Sequence, residues 1–283
     1  MRYLITGAAG MLGSDLQHAL RDREVLALGR ADLDIRDEAA VEAACTDVDV
    51  IINAAAYTHV DDAEVHEDAA YAVNAIGARN LAAAAARSGA RMVQLSTDYV
   101  FDGTAASPYR EDAPRNPISA YGRTKAAGEE FVLELLPDRG FVVRTAWLYG
   151  ADGPNFARTM LSLEASRPTW SVVDDQHGQP TWTGDLARKI VELIDAEAPA
   201  GVYHGTNAGQ TTWFEFARAI LETVGADPER ITAIDSAAFV RPAPRPAYSV
   251  LGHDAWAAVG IEPMRPWRAA LDDAALHGVL RPA

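Results

Sequence analysis

The chain has a single cysteine, Cys45, too few basic residues to balance its acids, and no apolar run long enough to span a bilayer. One cysteine excludes an internal disulfide framework and fits a reducing compartment. Cys45 itself is best read as a small buried helix residue. The basic deficit is large: 25 lysines and arginines against 40 acids give a formal net charge of −15. Nucleic acids and anionic membranes are gripped by basic surfaces, so neither is an expected partner. Any phosphate must instead be held locally, by helix N-termini and a few arginines. The seven histidines carry no His-x-x-x-His spacing and no cysteine-rich company, so no metal site is expected. His59, His66 and His177 read as polar surface or loop residues. The charged, glycine-broken start is not a signal peptide, and a cytoplasmic location is the expectation. There is no internal repeat and no low-complexity segment.

What is present fits a globular enzyme. Apolar residues make up 49% of the 283 positions and charged residues 23%. That length can bury a large core and hold one α/β domain with a smaller appendage. The run Arg2-Tyr3-Leu4-Ile5-Thr6 is of strand type, and Gly7-Ala8-Ala9-Gly10-Met11-Leu12-Gly13 follows it directly. From Met11 to Leu20, apolar residues at Leu12, Leu16, Ala19 and Leu20 keep a helical period. Strand, glycine turn and helix in this order are the context of a dinucleotide site. Gly7 would permit the tight turn, Gly10 the approach of a pyrophosphate, and Gly13 close packing of helix on sheet. The free N–H groups at Met11 and Leu12 would face the phosphate charge.

Strand and helix signals alternate through the first half. Glu24 to Leu28, Val50 to Asn53, Arg91 to Thr97 and Phe141 to Ala146 read as strands. Asp37 to Cys45, Asp68 to Ser88 (broken by Gly77) and Ala120 to Leu136 read as the helices between them. This βαβ alternation implies an α/β fold, a Rossmann-type doubly wound parallel sheet covered on both faces. Ligands on such sheets lie beyond the C-terminal strand ends, at a topological switch point. Gly7, Ala54-Ala55-Ala56 and Thr97 all follow strand ends and can converge there. Residues 1–150 are thus expected to form the dinucleotide-binding domain. From 151 to 283 the pattern turns irregular, with helices at Asn155 to Arg167, Gly184 to Asp195, Trp213 to Val224 and Trp267 to His277. This second stretch is expected to be a smaller, mixed substrate-binding part, interwoven with the first.

Tyr121 and Lys125 carry the chemistry. Four residues apart on one helix, they share a face. A nearby ammonium favours the phenolate and should lower the tyrosine pKa. Bringing a phenol from ~10 to neutrality takes about 3 units, or roughly 4 kcal/mol. A lysine together with a cationic nicotinamide ring in a partly dry pocket could supply that.

Further strings complete a pattern that runs nearly end to end. They include Asn53-Ala54-Ala55-Ala56-Tyr57-Thr58 with Val60-Asp61, then Val73-Asn74-Ala75, and Ser96-Thr97-Asp98-Tyr99-Val100-Phe101-Asp102-Gly103. Gly128-Glu129 follows the Tyr-x-x-x-Lys element, with Arg144-Thr145-Ala146-Trp147, Asp175 to Thr181, and Arg245-Pro246 with Ser249 beyond it. On these residues the chain resembles the extended short-chain dehydrogenase/reductases, and within them the dTDP-4-dehydrorhamnose reductase family. The resemblance implies NADPH-dependent reduction of the C4 ketone of a dTDP-deoxysugar. Tyr121 would donate the proton, Lys125 would tune it and hold the nicotinamide ribose, and Thr97 would hydrogen-bond the carbonyl oxygen. Asp98 would hold sugar hydroxyls, and Trp147 would either wall the hexose or simply pack in the core. Asn155 and Arg245 join the substrate set, with Arg241 and Arg158 as further candidates for the diphosphate. Ala54, Ala55, Ala56, Tyr57 and Thr58 would line the cofactor.

Tyr99 separates this reading from the related dehydratases, which carry a glutamate there as proton-abstracting base. The 4-epimerases share Tyr-x-x-x-Lys but fit the Asp-Tyr-Val-Phe-Asp-Gly string less well. Two alternatives stay open: a 4-ketoreductase of another dTDP-deoxysugar, and a non-catalytic NADP-binding subunit like that of methionine adenosyltransferase. Some family members are dimers bridged by Mg2+ through acids near the first helix, where Asp15 stands, although an ordinary surface acid is the simpler reading. The chain is expected to be a monomer or a homodimer. For the cofactor, β-strand residues Leu28-Gly29 lead into Arg30, which suits a 2′-phosphate, while Asp34-Ile35 resembles the adenine-contacting pair. NADPH is expected to be preferred and NADH tolerated. The ratio of kcat/KM for the two cofactors checks this, and a ratio favouring NADH overturns it.

Overall fold

Alternation of side chains along the first strand sets the architecture. In β1 (Arg2–Thr6), Tyr3 and Ile5 enter one core while Leu4 enters another, and all three are fully buried. A strand buried on both faces needs helices on both sides. The computed structural model, which describes residues 1–281, supplies them. β1, β2 (Glu24–Leu28), β3 (Val50–Asn53), β4 (Arg91–Thr97), β5 (Gly140–Thr145) and a strand at Gly201–His204 form one parallel sheet. Its order is the Gly201–His204 strand, then β5, β4, β3, β1 and β2. The chain winds outward from β1 to β2, then crosses to β3 on the other side. The switch point therefore lies between β1 and β3, the crevice where this Rossmann-type arrangement accepts ligands.

In chain order the helices are α1 (Met11–Ala19), α2 (Glu38–Ala44), α3 (Val60–Ala63), α4 (Glu67–Tyr71), α5 (Ala78–Ser88) and α6 (Ala120–Leu135). Then follow α7 (Phe156–Ser166), α8 (Thr183–Asp195), α9 (Trp213–Thr223), α10 (Asp254–Ala258) and α11 (Trp267–Leu276). Leu12 and Leu16 of α1 and Leu186, Ile190 and Leu193 of α8 cover one face of the sheet. Val41 of α2, Leu81 and Ala85 of α5 and Val132 of α6 cover the other. A third core, around Phe216, Ile220 and Leu271, holds α7, α9 and α11 against a parallel strand pair at Trp170–Val173 and Ile231–Ile234. Among the described residues no helix is long and apolar enough to cross a membrane.

Three features differ from the sequence expectation. The stretch expected as one helix broken at Gly77 continues through it: α4 runs into a π-helical segment, Ala72–Gly77, and then into α5. Gly77 is instead a packing glycine, since a Cβ there would fall 2.5 Å from Ile35 Cδ1. The Gly201–His204 strand was not anticipated; only four residues long, it pairs on one edge with β5. Finally, α8 and Trp256 of α10 return from the second half to pack in the first core.

α6 is pinned to the sheet by charge as well as by apolar contact. Glu129 on α6 and Arg144 on β5 form a two-pronged pair at 2.9 and 2.8 Å, with side-chain exposures of 0% and 3%. Ser96 on β4 donates to the same carboxylate at 2.5 Å. Removing one partner of such a pair strands the other charge in the interior. Glu129→Ala is therefore expected to lower stability by about 3–5 kcal/mol, read by thermal and urea unfolding. A loss below about 1 kcal/mol, the range of exposed pairs, would show that the pair does not anchor α6.

Candidate active site

The glycine turn has the geometry its spacing suggests. Gly7 has φ +69°, and a Cβ there would lie 2.7 Å from Ala54 O and 2.6 Å from Ala55 N. A Cβ on Gly13 would lie 2.3 Å from Gly7 O, so α1 can reach the turn only with glycine at that position. At Gly10 the nearest atom is Gly7 O at 3.2 Å, and nothing else stands within 4 Å. Gly10 is also the N-cap of α1 and offers no side-chain cap. The first N–H groups of α1 are thus free of intrahelical acceptors and open toward the crevice. A dinucleotide pyrophosphate fits this cradle. Met11 packs on Gly150 and Asn155, which joins the turn to the second half of the chain. Arg30 is exposed after β2, Asp34 is paired with Arg36 at 2.6 Å, and Ile35 is buried beneath Gly77.

Ala54 to Thr58 leave the end of β3 beside this turn. Asn74, inside the π-helical segment, clamps the Tyr57 backbone from both sides. Its Oδ1 accepts from Tyr57 N at 2.8 Å and its Nδ2 donates to Tyr57 O at 3.1 Å. The same amide donates to Thr124 Oγ1 on α6 at 3.0 Å. Gly128 permits this contact, since a Cβ there would meet Asn74 O at 2.3 Å.

α6 brings Tyr121 and Lys125 to the C-terminal end of β4. Ser119 caps it by accepting from Gly122 N at 3.1 Å. Gly122 lets the helix press on the Tyr99 carbonyl, where a Cβ would come within 2.2 Å. Tyr121 consequently meets Tyr99 edge-on, with ring centroids 5.7 Å apart, and its hydroxyl lies near Thr97. Thr97 in turn donates to Asp98 Oδ1 at 3.0 Å. Asp98 is 2% exposed, and burial raises its carboxyl to about 6, against the opposing pull of Ser249 and Thr97. The expectation that Lys125 lowers the Tyr121 phenol is corrected here. Burial and the neighbouring Asp98 push the phenol up, and Thr97 pulls it back. Lys125 instead donates to Leu95 O at 2.5 Å, and burial lowers its ammonium to about 8, against the pull of Glu129.

Residues not singled out by the sequence hold this arrangement. Thr6 donates to Asn53 Oδ1 at 2.6 Å, Asn53 Nδ2 to Gln94 Oε1 at 2.7 Å, and Gln94 Nε2 to Leu95 O at 2.9 Å. This chain crosses the ends of β1, β3 and β4 and finishes on the carbonyl that Lys125 also uses. Its only sequence signal was polar residues inside strands of otherwise buried type.

The substrate candidates are more dispersed in their commitments. Trp147 follows β5 with φ +46° and stacks on Trp213 at 3.6 Å between centroids. A Cβ on Gly178 would lie 2.5 Å from its ring. Asn155 caps α7 through Arg158 N at 3.0 Å and donates to Gly150 O at 3.0 Å, so its amide is engaged with backbone. Arg245 and Arg241 both pair with Asp61. Arg158 has a buried Nε with no acceptor among the described residues. Asp15 lies by Thr183, its carboxyl raised by burial. Cys45 closes α2, buried, with its thiol raised to about 11 by burial. His59 and His66 are exposed and His177 is half-buried.

Together, a buried phenol beside a threonine hydroxyl, on the strand-end edge that carries a dinucleotide cradle, can protonate an oxygen anion formed there. The family described as RmlD substrate binding domain matches residues 1–278. A Streptomyces griseus protein named dTDP-4-dehydrorhamnose reductase is 53% identical, covering 96% of this chain and 92% of that protein. A Streptomyces niveus protein named dTDP-4-keto-6-deoxy-D-glucose reductase is 52% identical, with 96% of each chain covered. The solved structure of a Bacillus anthracis dTDP-4-dehydrorhamnose reductase in complex with NADP superposes with a TM-score of 0.93. It is 39% identical and covers 98% of this chain and 99% of that one.

The two inner glycines separate binding from folding. Gly10→Ala projects a methyl into the crevice and is expected to weaken NADPH binding at least ~10-fold with little change in Tm. Gly13→Ala drives a methyl into Gly7 O and should lower both affinity and Tm. Fluorescence titration and thermal melts read the pair, and undiminished NADPH affinity in Gly10→Ala would remove the cradle assignment.

Proposed function

The chain belongs to the family described as RmlD substrate binding domain, and from that premise we propose an NADPH-dependent sugar-nucleotide ketoreductase. Its reaction is reduction of the C4 ketone of dTDP-6-deoxy-L-lyxo-4-hexulose to dTDP-L-rhamnose, that is, a dTDP-4-dehydrorhamnose reductase activity. The observation that supports the reading is that Tyr121 lies near Thr97 at the end of β4, on the same strand-end edge of the sheet as the glycine turn after β1. NADPH, when bound, supplies the hydride. Gly7, Gly10, Met11, Leu12 and Gly13 hold its pyrophosphate, Arg30 its 2′-phosphate, and Asp34 with Ile35 its adenine. Ala54 to Thr58 line its path, and Lys125 holds the nicotinamide ribose.

The chain's own residues handle the proton. Tyr121 Oη gives its proton to the C4 oxygen as negative charge develops there, and Thr97, turning its one O–H from Asp98 Oδ1 to the substrate, donates a hydrogen bond to the same oxygen. The raised Tyr121 pKa keeps the phenol protonated until that charge appears. Asp98 holds sugar hydroxyls, and the uncovered part of Trp147 lies along the hexose. With tyrosine at position 99, the base needed for an elimination is missing. Arg158, Arg241 and Arg245 are the cations available to the diphosphate, and residues 151–283 form mainly the substrate part. Such an enzyme works in the cytoplasm, as a monomer or homodimer.

A second reading, reduction of a different dTDP-4-keto-deoxysugar, is favoured by the 52% identity to the Streptomyces niveus protein. The product's C4 configuration, from NMR coupling constants, separates the two. For the mechanism, Tyr121→Phe is expected to cut kcat by about 100-fold or more. In wild type, kcat/KM should fall above about pH 8 as Lys125 loses its proton, because its ammonium titrates before the raised phenol. Lys125→Arg, always charged, should move that limb upward. No NADPH oxidation with the dTDP-4-keto sugar, or full activity in Tyr121→Phe, would overturn the assignment.

A further inference from the structure

Asp61 stands on α3, just beyond the Ala54–Thr58 segment, yet its carboxylate is engaged from the far end of the chain. Arg245 Nη1 donates to Oδ1 at 2.6 Å, Ala243 N donates to Oδ1 at 3.2 Å, and Arg241 Nε donates to Oδ2 at 2.9 Å. Arg241 adds a second donor, Nη2, to Oδ2. One acid thus holds two guanidinium groups and a backbone amide from a segment 180 residues away. Their side chains are 21% exposed at Asp61, 17% at Arg245 and 47% at Arg241, so the cluster is open to solvent on one side rather than closed in the core.

The segment it fastens is a wall of the site. Gly103 has φ +81°, and a Cβ there would lie 2.5 Å from Pro246, which seats the segment against the string that begins at Thr97. Ser249, a few residues on, reaches the Asp98 carboxyl. Arg245 and Asp61 are both within electrostatic reach of the Tyr99 phenol, which packs on Tyr121. Two cations on one acid leave a local surplus of one positive charge, in a chain whose net charge is −15. The donors are also divided. Arg241 gives Nε and Nη2 to Asp61, and Arg245 gives Nη1 to Asp61 and to Ala243 O. Among the described residues, Arg241 Nη1 and Arg245 Nε and Nη2 have no protein acceptor.

We propose that Asp61 is a positioning residue for the substrate: it holds Arg241 and Arg245 by one edge so that their remaining donors meet the diphosphate of a nucleoside-diphosphate sugar. The inference rests on the sugar-nucleotide reading above and adds to it the residue that orients the anion site. Neutralising Asp61 has two opposed effects. An added unpaired charge near the anion, acting through water, strengthens attraction by about fivefold. Freeing one arginine side chain costs up to about 30-fold, and here two are freed. Orientation wins.

The test is calorimetric titration of dTDP into the NADPH-loaded protein, with steady-state kinetics on the dTDP-4-keto sugar. Asp61→Asn should bind dTDP about 10-fold more weakly, raise KM more than it lowers kcat, and keep its NADPH affinity. Its dTDP affinity should also fall more steeply with salt than that of wild type, since more of the attraction is then unoriented charge. Asp61→Glu should recover part of the loss. Arg241→Ala, which leaves the Asp61–Arg245 pair in place, should weaken dTDP binding with a shallower salt dependence. Equal or tighter dTDP binding by Asp61→Asn overturns the proposal, as does a parallel loss of NADPH and dTDP affinity, which marks a general folding defect. If wild type binds no dTDP, both this inference and the sugar-nucleotide reading fall. If wild type binds dTDP and Asp61→Asn binds it equally, only this inference falls.

Discussion

The carbonyl of Leu95 is the point on which the site depends. Gln94 Nε2 and Lys125 Nζ both donate to it, at 2.9 and 2.5 Å. Behind Gln94 the hydrogen bonds run through Asn53 to Thr6, so one polar line joins three strand ends. Each group in it is nearly fully buried, and an unpaired member would cost its full desolvation. The strands can therefore meet the line only in one register. That register sets Gly7 beside Ala54 and presents the Leu95 carbonyl to Lys125. Lys125 is one of only two lysines in the chain; the other, Lys189, is held by Glu192 and Glu262 O.

Glycines and charge then fix how closely α6 approaches. Gly122 and Gly128 let two carbonyls, of Tyr99 and Asn74, lie where side chains would otherwise stand. The Glu129–Arg144 pair holds the same helix from below. The outcome is a helix pressed on a strand end, with the Tyr121 ring edge-on to Tyr99 and its hydroxyl near Thr97. The pKa of the phenol is then decided by burial and Asp98 more than by Lys125. The lysine's charge is directed toward the Leu95 carbonyl.

The features legible in the sequence are those written in neighbouring residues. The glycine turn, the period-two burial of β1 and the Tyr121–Lys125 spacing each depend on contacts within a few turns of chain. Ser119 at the start of α6 belongs with them. What was hidden depends on partners far away. Nothing near residue 201 announces that Gly201–His204 will pair with β5. Nothing near Asp61 announces the arginines that reach it across 180 positions. Asn155 looked available for substrate, but the backbone around it claims both ends of its amide. The Tyr121 phenol follows the same logic: a helical spacing brings two side chains to one face without saying which neighbour each will choose.

The π-helical turn at Ala72–Gly77 also has a bearing on how this chain tolerates change. Such a turn accommodates a residue more than the α-helical repeat on either side. A chain that lost a single residue there could keep an uninterrupted α-helix and gain regular hydrogen bonds. It would then rotate α4 against α5 and carry Asn74 away from Tyr57 and Thr124. The irregular turn acts as a phase register: it lets one rod present Asn74 to the crevice and Leu81 to the core. A deletion that makes the helix more ideal would misalign the site, so length in this stretch is constrained by function rather than by helix stability.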